Sequence, residues 1–254
     1  MVDRCNIRHN HNTIIIMPHT LYTQYTDDPD LVEIGVDEVG RGPLFGRVYV
    51  AAAILPKSGA STSTTVDTVD TLHTSFDHTL MKDSKRFTSQ KRLSEAYDHV
   101  LNHCIDYEVS YESETTVDNI NILQSTQRSM HTCVQALIER NNLVPEHTVL
   151  LIDGNYFKPH TRFDKETGKW ACYDHVCVKG GDNMYTCIAA ASIVAKVERD
   201  KYIADLCAAH PDLDDKYSIA SNKGYGAKKH LEGIRSHGIT QWHRKTFGIC
   251  KGFV

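Results

Sequence analysis

The chain lacks any long apolar run. Ile14-Ile15-Ile16-Met17 is too short for a signal-peptide core, and nothing approaches the roughly 20 apolar residues of a membrane-spanning helix. A soluble protein of the cell interior is therefore expected, with no membrane partner and a cytoplasmic location. There are eight cysteines but no CxxC pair; Cys172 and Cys177 have no second ligand pair beside them. Structural zinc is not expected, and reduced thiols are the simpler state. The 15 histidines are scattered and take no metal role. No internal repeat is visible, which sets aside solenoids and propellers. No Ser-His-Asp arrangement stands out. An excess of positive charge is also missing, since 28 bases stand against 32 acids.

What is present is enough for a full core: 254 residues, 41% of them apolar. Charge is uneven. From Ser221 to Val254 there are seven bases and one acid, Glu232, so a basic C-terminal part (about 210–254) is a candidate phosphate track. A solvated basic helix would look the same. Residues 1–30 are polar and poorly patterned and read as an irregular arm, leaving 31–254 as the folded domain. Ser58 to Thr79, rich in Ser and Thr, reads as an inserted mobile loop. Periodicity predicts strands over 32–37, 47–55, 105–111, 148–153 and 172–178. It predicts helices over about 87–103, 116–141 and 184–208, followed by further helices. This order fits a mixed α/β sheet with helices on both faces.

Ile34-Gly35-Val36-Asp37-Glu38-Val39-Gly40-Arg41-Gly42-Pro43-Leu44 is the most informative segment. An apolar strand runs into two carboxylates and then a Gly-Arg-Gly turn. Neighbouring strand side chains point to opposite faces, so Asp37 and Glu38 cannot both enter an apolar core. An isolated Asp-Glu at a strand end is usually just solvated. The flanking turn changes that balance, because glycines admit a close ligand and an Arg between them can meet a phosphate. Oxygen-only ligands suit Mg²⁺ or Mn²⁺. Val149-Leu150-Leu151-Ile152-Asp153-Gly154 repeats the pattern of a buried strand ending in a carboxylate, and strand ends of open α/β sheets are where sites collect.

Asp37 to Leu44 resembles the first motif of the type 2 ribonucleases H, the ribonuclease HII family. Further blocks follow in that family's order: Asp83-Ser84-Lys85, Asn121-Ile122-Leu123-Gln124, Asp153-Gly154-Asn155, Lys179-Gly180-Gly181-Asp182 with Ala189 to Lys196, Asn222 to Gly226, and His243 to Gly248. The resemblance spans Val32 to Gly248 apart from the one insertion. It implies a ribonuclease H-like fold, with a mixed five-stranded sheet flanked by helices and a helical C-terminal extension. The implied enzyme is a metal-dependent endoribonuclease that cuts the RNA strand of RNA/DNA hybrids and cuts at ribonucleotides embedded in duplex DNA. It would leave 3′-hydroxyl and 5′-phosphate ends, act as a monomer, and serve DNA replication and repair.

On this resemblance Asp37, Glu38, Asp153 and Asp182 are the catalytic metal ligands. Four unpaired carboxylates repel one another unless divalent cations join them. Two such ions about 3.5–4 Å apart stabilise the attacking and leaving oxygens of an in-line phosphoryl displacement. Gly40, Arg41 and Gly42 would offer their backbone to the 2′-OH, the group that distinguishes RNA from DNA. Tyr225 would sense the junction, and Lys85 and Lys223 would contact phosphates. Departures from the family pattern are the doubled glycine before Asp182, Arg47 where Pro is frequent, and Ala227 where Thr is frequent, which removes a capping hydroxyl. His243 is expected to support the C-terminal block. Two other functions fit the same fold: a DNA nuclease or resolvase, and a hybrid-binding protein without cleavage. The Gly-Arg-Gly turn and Tyr225 weigh against the first, and the intact carboxylates against the second.

Overall fold

A computed structural model of the protein describes residues 20–57, 76–165 and 167–254. Most of the N-terminal arm and of the Ser58–Thr79 insertion lies outside the described residues. The chain begins with a hairpin of β1 (Val32–Val39) and β2 (Val48–Ile54), continues through α1 (Gln90–His103), β3 (Asp106–Glu112), α2 (Glu114–Arg140) and β4 (Thr148–Asp153), and then forms a small hairpin of β5 (Thr161–Asp164) and β6 (Lys169–Cys172). β7 (Asp174–Val178), the long α3 (Thr186–Ala209) and the shorter α4 (Asp212–Tyr217), α5 (Ile219–Asn222) and α6 (Lys228–His237) complete it. The main sheet has the order β3-β2-β1-β4-β7. β1 is antiparallel to β2 and parallel to β4, and β4 is parallel to β7.

The period-2 alternation of the central strands sorts the core into two layers. Ile34, Val36, Val50, Ala52, Ile54, Leu150 and Ile152 face the α2 stripe of Met130, Cys133, Val134, Leu137 and Ile138. Ala51, Ala53, Val149 and Leu151 face α1 and α3, where Ala189, Ala190 and Ala191 are fully buried. Small residues are needed there because α3 lies very close to β1. A Cβ on Gly35 would come within 2.5 Å of the Ile188 backbone nitrogen. Serine hydroxyls start two helices: Ser89 accepts from the Arg92 N–H at α1 and Ser113 from the Thr116 N–H at α2.

Four features differ from the sequence expectation. The predicted strand 172–178 is preceded by the β5–β6 hairpin, which no periodicity announced. α2 is broken at Asn121, whose φ of 66° is non-helical; its side-chain oxygen accepts from the Gln124 N–H at 3.1 Å and restarts the helix. The end of the insertion is ordered, with Phe76 buried and His78 bonded to Thr186 and the Pro56 carbonyl. Cys172 is disulfide-bonded, whereas Cys104, Cys133, Cys177, Cys187, Cys207 and Cys250 are free. Ala227 begins α6 with no side-chain cap, as its missing hydroxyl predicts. No helix among the described residues is long and apolar enough to cross a membrane.

Candidate active site

Parallel pairing of β1 with β4 brings their C-terminal ends together. Asp37 and Asp153 follow the same alternation as Gly35 and Leu151, so both lie on the face that α3 covers. Glu38 is at the strand end where the sheet opens. Ligand oxygens of Asp37, Glu38 and Asp153 all lie within 4.8 Å of one another, the single such group among the described residues. Asp153 is held from the β7 side, accepting from the Gly181 N–H at 2.7 Å. Asp37 accepts from the Glu38 N–H at 2.6 Å.

Asp182 is outside this tight trio. It lies in the 3-10 turn Gly181–Asn183, which leads into α3 and is entered through Gly180 in the left-handed region (φ 64°). Its closest companion is Asp83. Asn183 bridges the two, donating to Asp182 at 3.1 Å and to Asp83 at 3.3 Å.

The electrostatics describe a site short of positive charge. Burial pushes the Asp37 carboxyl well above its ordinary range, and the charges of Asp153, Glu38 and Asp182 add to that, while a Ser192 hydrogen bond opposes it. Burial also raises Glu38, against the pull of Arg41, whose guanidinium pairs with Glu38 at 3.1 Å. Burial, then Asp83 and Asp153, push Asp182 up to about 6. Partial burial works to lower the Lys85 ammonium, but Asp182, Asp83, Asp37 and Asp153 outweigh it and the net shift is upward. An all-oxygen donor set that repels itself this strongly is one that a hard divalent cation stabilises.

Beside the carboxylates, Gly40–Arg47 forms a turn whose carbonyls point inward at two buried guanidiniums. Arg244 donates to Gly40 O at 2.7 Å, Arg41 O at 3.0 Å, Pro43 O at 3.1 Å and Gly46 O at 2.9 Å. Arg199 donates to Arg47 O at 3.1 Å, Phe45 O at 3.3 Å and Lys223 O at 3.0 Å. Neither side chain pairs with a carboxylate among the described residues. Tyr225 stands over the turn, its ring edge 3.7 Å from where a Gly42 Cβ would be.

Two buried histidines anchor the Tyr225 loop. His243 Nδ1 faces the Thr240 N–H at 2.9 Å, so it must accept there and carry its proton on Nε2. That proton is donated to His230 Nε2 at 3.1 Å, and His230 Nδ1–H is donated to the Tyr225 carbonyl at 2.8 Å. Burial, reinforced by the neighbouring ring, lowers His243 to about 3, so the pair stays neutral and the chain of donors keeps one direction.

Of the residues expected from sequence, Asp37, Glu38, Asp153 and Arg41 come together, Asp182 and Lys85 flank them, and Gly40, Gly42 and Tyr225 form the adjoining cleft. Lys223 contributes its backbone to the turn through Arg199, in a left-handed conformation (φ 53°). Sequence reasoning missed the part played by four residues. Asp83, quoted only as the first residue of the Asp83-Ser84-Lys85 block, is a fifth carboxylate, set beside Asp182. Ser192 bonds both Asp37 and Ser84. Arg199 and Arg244 look like solvated cations in any single-sequence reading, and only the turn wrapped around them shows otherwise.

Residues 34–250 match the family model described as Ribonuclease HII. Similar curated proteins bear the same description: one from Cytophaga hutchinsonii is 35% identical over 216 residues, covering 85% of this chain and 89% of its own. Another, from Phocaeicola vulgatus, is 39% identical over 220 residues, covering 87% and 90%. Among solved structures, the ribonuclease H2 of Pyrococcus horikoshii superposes with a TM-score of 0.59 at 20% identity, over 88% of this chain and 97% of that one. A chain of the PCNA:RNase HII complex from Archaeoglobus fulgidus gives 0.57 at 23% identity, over 86% and 96%. Bst-RNase HIII in complex with Mn²⁺ gives 0.57 at 18%, over 87% and 68%. At these identities the structural likeness concerns the fold.

Proposed function

The chain belongs to the ribonuclease HII family, and we propose that it cuts duplex DNA at an embedded ribonucleotide as well as the RNA strand of a hybrid, leaving 3′-hydroxyl and 5′-phosphate ends. Family membership makes it a ribonuclease H, a divalent-metal-dependent endonuclease acting on RNA/DNA. The finer reading rests on one observation above all: three carboxylates within 4.8 Å of one another, next to a turn of two glycines with Tyr225 across it.

In this proposal Asp37, Glu38, Asp153 and Asp182 would hold Mg²⁺ or Mn²⁺, for which their oxygen-only donors are suited. Bound divalent ions would supply charge neutralisation at the attacking water and at the leaving oxygen of an in-line displacement. The protein's own groups do the positioning. Backbone N–H groups of the Gly40–Gly42 turn meet the 2′-OH, which a deoxyribose cannot offer. The Tyr225 ring packs on the sugar of the next nucleotide and leaves no room for a second 2′-OH. Lys85, and Lys223 beyond the turn, hold flanking phosphates. Arg41 keeps Glu38 oriented until substrate arrives. Residues 31–254 act as the catalytic domain of a monomer, in the cytoplasm and in the service of DNA repair.

The test is cleavage of a labelled DNA duplex with one ribonucleotide, in Mg²⁺ and in Mn²⁺, beside the Asp153→Asn variant. A metal-dependent cut 5′ to the ribonucleotide, absent in the variant, supports the proposal. Cleavage of a long hybrid without any cut at the single ribonucleotide overturns the junction part and leaves the carboxylate site in place.

A further inference from the structure

Peptide units are planar and trans, so the C=O of one residue and the N–H of the next point in opposite directions. Arg244 draws the Gly40 and Arg41 carbonyls inward. The N–H groups of Arg41 and Gly42 must therefore face outward, toward the cleft that Tyr225 borders. Neither amide has an acceptor among the described residues. A buried guanidinium without a carboxylate partner is a costly thing to keep in a core. Here its donors are spent on carbonyls of one turn, and its charge stays behind that turn: burial and the nearby Arg199 lower Arg244 only to about 10. Two outward amides with a cation behind them form a concave donor site for a hydroxyl or phosphate oxygen.

We propose that Arg244 is a positioning residue for ribose recognition: by capturing the Gly40 and Arg41 carbonyls, it turns the Arg41 and Gly42 amides toward the 2′-OH of the scissile nucleotide. This rests on the function proposed above. Its neighbour His243 holds the other wall, since the His243–His230 pair ends on the Tyr225 carbonyl. One dipeptide, His243-Arg244, thereby sets the spacing between the hydroxyl-binding amides and the Tyr225 ring. Arg199 grips the far end of the same turn and closes Gly40 from behind, where an added Cβ would come within 2.8 Å of its Cδ.

The readout is the affinity ratio of two duplexes, one with a single ribonucleotide and one with deoxyribose at that place. Binding is measured in the cleavage-blocked Asp153→Asn protein with Ca²⁺ present. The parent should prefer the ribonucleotide by about tenfold, as two neutral hydrogen bonds allow. Adding Arg244→Met should bring the ratio below about twofold. Arg244→Lys, which keeps a charge but not the fork of donors, should give an intermediate ratio. General destabilisation would weaken both duplexes alike and leave the ratio unchanged. Should Arg244→Met lose its circular dichroism spectrum, the Arg244→Lys ratio decides. A parent with no ribonucleotide preference refutes the function proposed above. A parent preference retained in the Arg244 variants refutes the positioning role alone.

Discussion

Replacing Asp37 by Asn should abolish cleavage and, in the absence of metal, make the protein more stable. Two unit charges 4.8 Å apart repel by about 3.5 kcal/mol at an effective dielectric near 20. Asp37 has two such neighbours, but burial and those same charges already favour its protonated form, so only part of the repulsion remains to be relieved. A gain of about 1–2 kcal/mol is the reasonable share. For a chain of this size each kcal/mol moves Tm by about 2–4 °C, so metal-free Asp37→Asn should melt about 2–8 °C higher than the parent. The hydrogen bond from the Glu38 N–H survives, because the amide oxygen accepts it as the carboxylate did. With saturating Mg²⁺ or Mn²⁺ the order should reverse: the parent gains roughly 2.7 kcal/mol at a hundredfold excess over Kd, and the variant gains little. Differential scanning fluorimetry with and without metal reads all four values. A variant that melts below the parent without metal, or that keeps the full metal-induced rise, would show that the carboxylates are not a strained cation site.

Gly35→Ala should lower stability in urea by about 1–3 kcal/mol or more, since the new methyl meets the α3 backbone rather than a movable side chain; an unchanged midpoint would mean that α3 is free to shift. Lys85→Gln should reduce the slope of log Kd against log salt for duplex binding by about one, the loss of one phosphate contact, and an unaltered slope would remove Lys85 from the interface. His160 is held neutral by burial and by His131, with its pKa lowered to about 4 from an ordinary 6.5. A base depressed in this way contributes stability above pH 6.5 that is lost as pH falls toward 4. The parent should therefore lose more Tm across that window than His160→Asn does, and parallel curves would contradict the assignment.

Legibility in the sequence followed the range of the interactions. The two-layered sheet was readable because each central strand is an apolar run of strand length bounded by glycine or charge, and α2 shows its stripe at helical spacing. The carboxylates at the ends of β1 and β4 were readable for the same reason. Asp182 was harder. Its place depends on how Gly180 turns the chain, and Asp83, which shares its surroundings, is remote in sequence. The β5–β6 hairpin was missed because exposed strands such as β5 carry no apolar alternation. Arg199 and Arg244 were invisible as buried groups, since nothing local distinguishes a guanidinium that will meet carbonyls about 150 or 200 residues away from one that will meet water.

That separation has a temporal side. Gly40 and Arg41 leave the ribosome well before Arg244 exists, and at about 5–20 residues per second the interval is on the order of 10–40 s. Once β4 and Asp153 have been made, a little past the midpoint of that interval, the acidic strand ends can assemble while the turn beside them has no guanidinium to hold its carbonyls. On the proposed reading, a growing chain therefore reaches its acidic centre before the turn that would choose a sugar is held in place, and selectivity would be the last property to be born.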